Sequence, residues 1–195
     1  MLEKSATTSV PIDPLIAGRW SPRAFDSAAR VTDAERTALL EAARWAPSCF
    51  NDQPWHFLVW DRHLDPDGFG RAVACLAESN RRWAASASIL MLSIAADRFN
   101  HNGAPNRFAQ YDTGAATLAL VLQARSLGLA AHQMGGFDAQ KARAEFGVPE
   151  GHAIMAMIAL GRQDSPERLP DDLRERETGP RTRRPLEGMV HTGRW

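Results

Sequence analysis

The chain has 195 residues, 44% of them hydrophobic, with 23 basic and 23 acidic side chains and no formal net charge. That length suits one domain with a sizeable core, and the charge balance argues against nucleic acid or an anionic membrane as a partner. The two cysteines, Cys49 and Cys75, stand in no CxxC or metal-type spacing, so a disulfide framework is not expected and a reducing, cytoplasmic setting is.

The opening MLEKSATTSVPIDPL has no basic start followed by an apolar run and does not read as a secretory signal. Residues 1–13 read as an extended start, free to fray, followed by a short helix over Pro14–Gly18. Thr32 as N-cap, Glu35 three residues later and apolar Leu39, Leu40 and Ala43 predict a helix that Pro47 ends. WHFLVW at 55–60 is aromatic and β-branched, hence a strand. Asp-Pro and Asp-Gly signals mark a loop at 65–68, and 69–85 reads as one helix.

SILMLSIA at 88–95 is a short apolar run suited to a strand buried on both faces, and the wider stretch 88–96 is too short to span a bilayer. Residues 97–107 read as a loop. A long helix over 108–127 carries Gly114, Ala115, Ala116, Ala119 and Ala124, small enough for a second helix to approach closely, and Gly128 stops it. A short strand at 129–133, a helix capped by Asp138 and ending near Gly147, and a buried strand at 153–160 follow. Beyond Gly161 charge and proline dominate without core periodicity. Strands and helices alternate loosely, which predicts one α+β domain over 1–195 with a central sheet.

Several chemistries lack their signatures. There is no GxGxxG, no GxxxxGK[ST], no HExxH and no GxSxG. His56, His63, His101, His132, His152 and His191 are scattered without metal spacing, so no metal site is expected.

Four segments could carry function. In Arg19-Trp20-Ser21-Pro22-Arg23, two arginines and a serine can converge on one phosphate, because guanidinium forks match phosphate oxygens; alone, the segment also fits a solvated basic turn. Pro47-Ser48-Cys49-Phe50-Asn51-Asp52-Gln53-Pro54-Trp55 packs hydroxyl, amide and backbone donors between prolines and suits a flat heterocycle or a rigid turn. Cys49 has no partnered base that would make it a nucleophile. Gln133-Met134-Gly135-Gly136 allows very close backbone approach to a ligand, as well as a plain strand-to-helix turn. Arg181 and Arg183, two residues apart in an extended stretch, point to one side and suit a second phosphate clamp or a solvated tail.

In this order and spacing the segments resemble the nitroreductase family of flavoproteins. The resemblance runs from Arg19 to about Val190. It rests on Arg-x-Ser-x-Arg, a helix ending Ala-Pro-Ser, Asn-x-Gln-Pro-Trp and the C-terminal Arg-x-Arg-x-Pro-Leu-Glu. It implies a mixed sheet flanked by helices and an intertwined homodimer. A pair of long central helices would form the interface, and the stretch at about 165–195 would extend around the partner.

The resemblance also implies FMN at that interface. Arg19, Ser21 and Arg23 would meet its phosphate, ribityl or pyrimidine edge, and Arg181 and Arg183 would complete the phosphate site. Pro47, Ser48, Asn51 and Gln53 would come from the other chain. Asn80 would meet the pyrimidine edge, and Gly135 and Gly136 the N5 and O4 side. Trp20, Cys49 and Met134 lie in the same segments and are counted with the cofactor-binding set.

NADH or NADPH would deliver hydride, and a nitro compound, quinone or similar small-molecule acceptor would take it in a second half-reaction; the alternatives are a specialised flavoenzyme of the same fold (dehydrogenase, dehalogenase or flavin-fragmenting) and a non-catalytic FMN carrier or sensor. The cofactor carries the chemistry, so no side chain is assigned as catalytic. Two departures stand out. The family's Pro-x-Glu-Gly is Gln133-Met134-Gly135-Gly136 here, without the acidic side chain, and Cys49 stands where Ser or Thr is frequent. Residues 98–111 are a candidate wall for the acceptor pocket or a plain surface connection.

Overall fold

The computed structural model describes residues 2–195. Four strands form one sheet: β1 (Trp55–Asp61), β2 (Ile89–Ala96), β3 (Ala130–Met134) and β4 (His152–Gly161), in the order β1-β2-β4-β3. Every pairing among them is antiparallel, where a mixed sheet was expected. A parallel neighbour needs a crossover that carries the chain back along the whole strand. The helix between β3 and β4 has only eight residues, about 12 Å, and the chain re-enters the sheet antiparallel.

β2 is buried on both faces, and its side chains divide by parity. Leu90, Leu92 and Ile94 join Trp60, Phe69, Trp83 and Met157 in one core. Ile89 and Met91 join Leu39, Leu120, Val121, Ile158 and Leu160 in the other. The helices therefore form two outer layers: α2 (Asp33–Arg44) and α5 (Ala109–Ser126) over one face, and α3 (Pro66–Cys75), α4 (Glu78–Ala84) and α6 (Ala139–Phe146) over the other. Among the described residues no helix is long and apolar enough to cross a membrane.

Local chemistry explains the boundaries. Thr32 and Glu35 form a reciprocal capping box at the start of α2. Asp138 caps α6, and Gly147 ends it in the left-handed conformation. Asp65 caps α3 with Pro66 in its first turn, so the expected 65–68 loop is a helix start.

The single helix expected over 69–85 is two. Leu76 forms a bridge with Phe137, and Ala77 N–H donates to Gly136 O at 3.0 Å. These pairings draw backbone away from the helix between Cys75 and Glu78, and Arg81 takes up the carbonyl of Leu76 at 2.9 Å. The tail expected to be extended over 165–195 is partly folded. It holds a 3₁₀ turn at Pro166–Arg168, helix α7 (Asp171–Thr178), and another 3₁₀ turn at Leu186–Gly188. Helix α1 (Pro14–Gly18) lies where it was expected.

Candidate functional site: a cationic clamp and a strained loop

Helix α1 ends at Gly18, and the chain continues through Arg19, Trp20, Ser21 and Arg23 into the buried pair Ala24 and Phe25. What fixes this segment is Glu177 of α7, which is 0% exposed. Its carboxylate accepts from Arg23 N–H at 2.9 and 3.0 Å and from Ala24 N–H at 3.2 Å, and lies 3.7 Å from the Arg23 guanidinium. The Lys4 ammonium donates to the Glu177 backbone carbonyl at 2.7 Å and sits 4.8 Å from the Trp20 ring centre. Residues 4–6 are thus anchored, not frayed; Ala6 N–H also donates to Ala17 O.

Arg181 brings the tail to the same place, donating to Lys4 O and to Ala17 O. Arg183 faces it and Arg19 closely enough for charge repulsion. Burial, and then the other arginines, hold the Arg19 guanidinium below its ordinary pKa; burial and then Arg183 do the same for Arg181. Lys4 is lowered by burial first, an effect opposed by Glu177 and reinforced by Arg181 and Arg23. Lys4 and Arg23 flank the Glu177 carboxylate, and Arg19, Arg181 and Arg183 lie close enough to repel one another. Arg19 also donates to Ser21 Oγ, at 3.4 Å. This arrangement is short of negative charge and fitted to a multivalent oxyanion.

The glycine turn joins the clamp through His132 on β3. Its Nδ1 is 2.9 Å from Pro22 O; a carbonyl only accepts, so Nδ1 carries the proton. Burial, with Arg23 and Arg19 nearby, pushes the imidazole down to about 4 against the Pro22 bond. Trp83 packs between His132 (4.4 Å between ring centres) and Phe25 (6.2 Å). One turn earlier on α4, Asn80 donates to Gly136 O at 2.9 Å. A Cβ on Gly136 would come within 2.7 Å of the Asn80 amide nitrogen, the end of a side chain that would have to turn away and give up its bond to Gly136 O. Met134 is buried beneath the turn, and Gly135 and Gly136 are exposed.

The loop 47–53 lies elsewhere. Ser48 Oγ accepts from Gln53 N–H at 3.0 Å, Cys49 N–H donates to Asp112 Oδ2 at 3.0 Å, and the Gln53 amide donates to Asn51 O at 2.9 Å. Pro47, Asn51 and Gln53 are exposed. Phe50, Asn51 and Gln53 have φ of 55°, 54° and 53°, a region costly for side chains with a Cβ and concentrated at functional sites. Asp112 is in the first turn of α5, whereas Gly18 abuts Arg125 in its last, about 20 Å further along the helix axis. The loop also leads into β1 while the glycine turn follows β3, and these are opposite edges of the sheet, about 14 Å apart at strand spacing.

One chain therefore gathers Arg19, Trp20, Ser21, Arg23, Asn80, Met134, Gly135, Gly136, Arg181 and Arg183, and holds Pro47, Ser48, Cys49, Asn51 and Gln53 apart. Sequence reasoning missed Lys4, Glu177 and His132. Nothing local distinguishes them; their roles come from contacts across more than a hundred residues. Among the described residues no three His, Cys, Asp or Glu side chains are grouped to hold a metal ion.

Fold and site define an α+β protein with helices on both faces of its sheet and a cationic clamp beside a glycine cradle. The family model described as Nitroreductase family matches residues 16–162. A crystal structure described as an oxidoreductase containing FMN is 36% identical with a TM-score of 0.91, covering 100% of this chain and 98% of that one. Protein DrgA of Synechocystis is 31% identical over 78% of this chain and 89% of its own. A Streptomyces coelicolor protein provisionally named NADH dehydrogenase/NAD(P)H nitroreductase is 30% identical over 68% of this chain and 75% of its own. The chain belongs to the nitroreductase family and is an oxidoreductase.

Proposed function

We propose that the protein is an FMN-dependent oxidoreductase. It takes hydride from NADH or NADPH and passes it, in a separate half-reaction, to nitro compounds, quinones or similar electrophiles. It works as a homodimer whose flavin sites each draw on both chains. The carrying observation is the clamp, where Lys4 and Arg23 lie against the carboxylate of Glu177 and Arg181, close to Lys4, crowds with Arg19 and Arg183. A phosphate monoester supplies the missing negative charge.

The residues present fit FMN. The clamp takes the phosphate, and Ser21 offers a hydroxyl beside it. The Gly136 cradle, where a Cβ would displace the Asn80 amide, admits the edge of a flat ring. When bound, FMN supplies reversible hydride transfer at its ring. Asn80 and the backbone of Gly135 and Gly136 orient the ring edge. The cations of the clamp stabilise negative charge by Coulomb attraction. Ser48, Asn51 and Gln53, held rigid by the turn at Cys49–Asn51, approach from the second chain.

The dimer reading is supported by the separation of loop and clamp along α5. It is also supported by Tyr111 and Leu118, 80% and 48% exposed on that helix, with Trp45 (77%) beside the loop. Large apolar side chains exposed near one another mark an interaction surface.

The test is an anaerobic absorbance titration with NADH and then NADPH. A yellow protein that bleaches stoichiometrically and recovers with a nitroarene or quinone is expected. A yellow protein that both leave oxidised overturns the donor assignment, and a colourless protein that takes up no FMN overturns the whole reading.

A further inference from the structure

We propose that Phe50, Phe99 and His101 form an aromatic wall that selects flat, electron-poor acceptors, and that Asp52 is the positioning residue that holds it. The inference rests on the flavin reading above and adds the side chains that discriminate between acceptors.

Phe50 is 79% exposed and sits on left-handed backbone, a combination unfavourable for a bulky aromatic. Its surroundings enforce it. Asn51 N–H and Asp52 N–H donate to the carbonyls of Ser48 and Cys49, and the loop is tied to α5 through Cys49 and Asp112. The Phe50 ring meets Phe99 edge-on, with centres 5.8 Å apart and planes at 83°. His101 lies 5.5 Å from Phe50 and 5.2 Å from Phe99. An open cleft of about 530 Å³ is bounded by Phe50, Asn51, Asp52, Gln53, Asn100 and His101.

Asp52 joins the two loops that make this cleft. Its carboxylate, 2% exposed, accepts from Asn100 N–H at 2.8 Å and from the Asn106 amide at 3.3 Å. Its backbone carbonyl accepts from the Asn100 amide at 3.0 Å. The 48–53 turn and the 98–106 loop therefore present their rings as one unit.

The face of an aromatic ring carries negative charge density, so it favours electron-poor rings laid against it or meeting it edge-on. An acceptor taking hydride on one face must be covered on the other, and a flat ring is the shape that can satisfy both. Because Phe50 precedes Asn51 and Gln53 in the loop assigned to the second chain, the wall would face the flavin held by the partner's clamp.

The test compares kcat/KM of the flavin-loaded protein for 1,4-naphthoquinone, which can stack, with that for ferricyanide, an octahedral acceptor that cannot. Phe50→Gly removes the ring, and glycine adopts the observed backbone without strain, so folding is retained; the thermal midpoint checks this. The ratio of quinone to ferricyanide efficiency should fall at least fivefold, through the quinone KM, and Phe50→Tyr should restore it. Asp52→Ala should raise the quinone KM in the same direction with a smaller change in kcat. An unchanged ratio in Phe50→Gly, or a loss that Phe50→Tyr does not restore, overturns the wall. A wild-type protein that binds no FMN, or that NADH and NADPH fail to reduce, overturns the flavin reading, and the wall falls with it.

Discussion

Two side chains that no motif announces, buried Glu177 and half-buried His132, hold the clamp together. Removing Glu177 strands the amide donors of Arg23 and Ala24 and leaves Arg23 without its counter-charge. Glu177→Ala should cost about 2–4 kcal/mol in urea unfolding, whereas Glu177→Gln, which keeps an accepting oxygen, should cost clearly less; equal losses would remove the hydrogen-bonding role. His132 is the titrating member. Its folded pKa of about 4 lies below the ordinary 6.5, so between those values the unfolded chain binds the extra proton. Stability is then complete above pH 6.5 and lost as pH falls towards 4, on the order of 2 kcal/mol by pH 5. His56, lowered by burial and then by His152, adds to the slope with the same sign. Unfolding midpoints across that range should flatten in His132→Gln, which can still donate to Pro22 O; an unaltered slope would mean the imidazole is not the source. Arg19, Ser21, Arg23, Arg181 and Arg183 could be picked out because phosphate chemistry has a residue signature. Glu177 could not, because a carboxylate in a charged helix is ordinarily solvated and only its contact with the Arg23 backbone makes it otherwise.

Elements governed by local chemistry were readable from the chain. The capping box of α2, the apolar run of β2 and the Gly128 stop of α5 lie where the sequence puts them. Elements decided by distant partners were not. The break between α3 and α4 depends on Phe137 and Gly136, and α7 depends on burying Leu173 and Glu177, a pattern too sparse to show as periodicity. The antiparallel sheet follows from how far the connecting helices carry the chain, which composition does not reveal. Where β4 leaves the sheet, Gly161 is in a close packing position. A Cβ there would lie 2.8 Å from Ser88 Oγ and 3.1 Å from Ser88 N. Since the second of these is backbone, Gly161→Ala should destabilise by about 1–3 kcal/mol, read as a lower urea midpoint. A neutral outcome would show that the turn at Ser88 can shift freely.

At the scale of the molecule, the proposed shared site would draw on two separate regions of each chain. The clamp and glycine cradle gather at one end of α5, and the strained loop with its aromatic neighbours sits at the other. Exposed Tyr111 and Leu118 lie along the helix that separates them, a surface suited to a second copy. The most direct test of a site shared between two chains is complementation. One variant loses the clamp (Arg23→Ala with Arg181→Ala), and another loses the loop (Ser48→Ala with Asn51→Ala). Each alone should have little NADH-dependent quinone reductase activity. Produced together, they should form mixed dimers in which one site takes an intact clamp from one chain and an intact loop from the other, and activity should return. If sites are built within single chains, every site in the mixture carries a lesion; activity no higher than that of the separate variants, in a preparation where mixed dimers are present, would contradict the account.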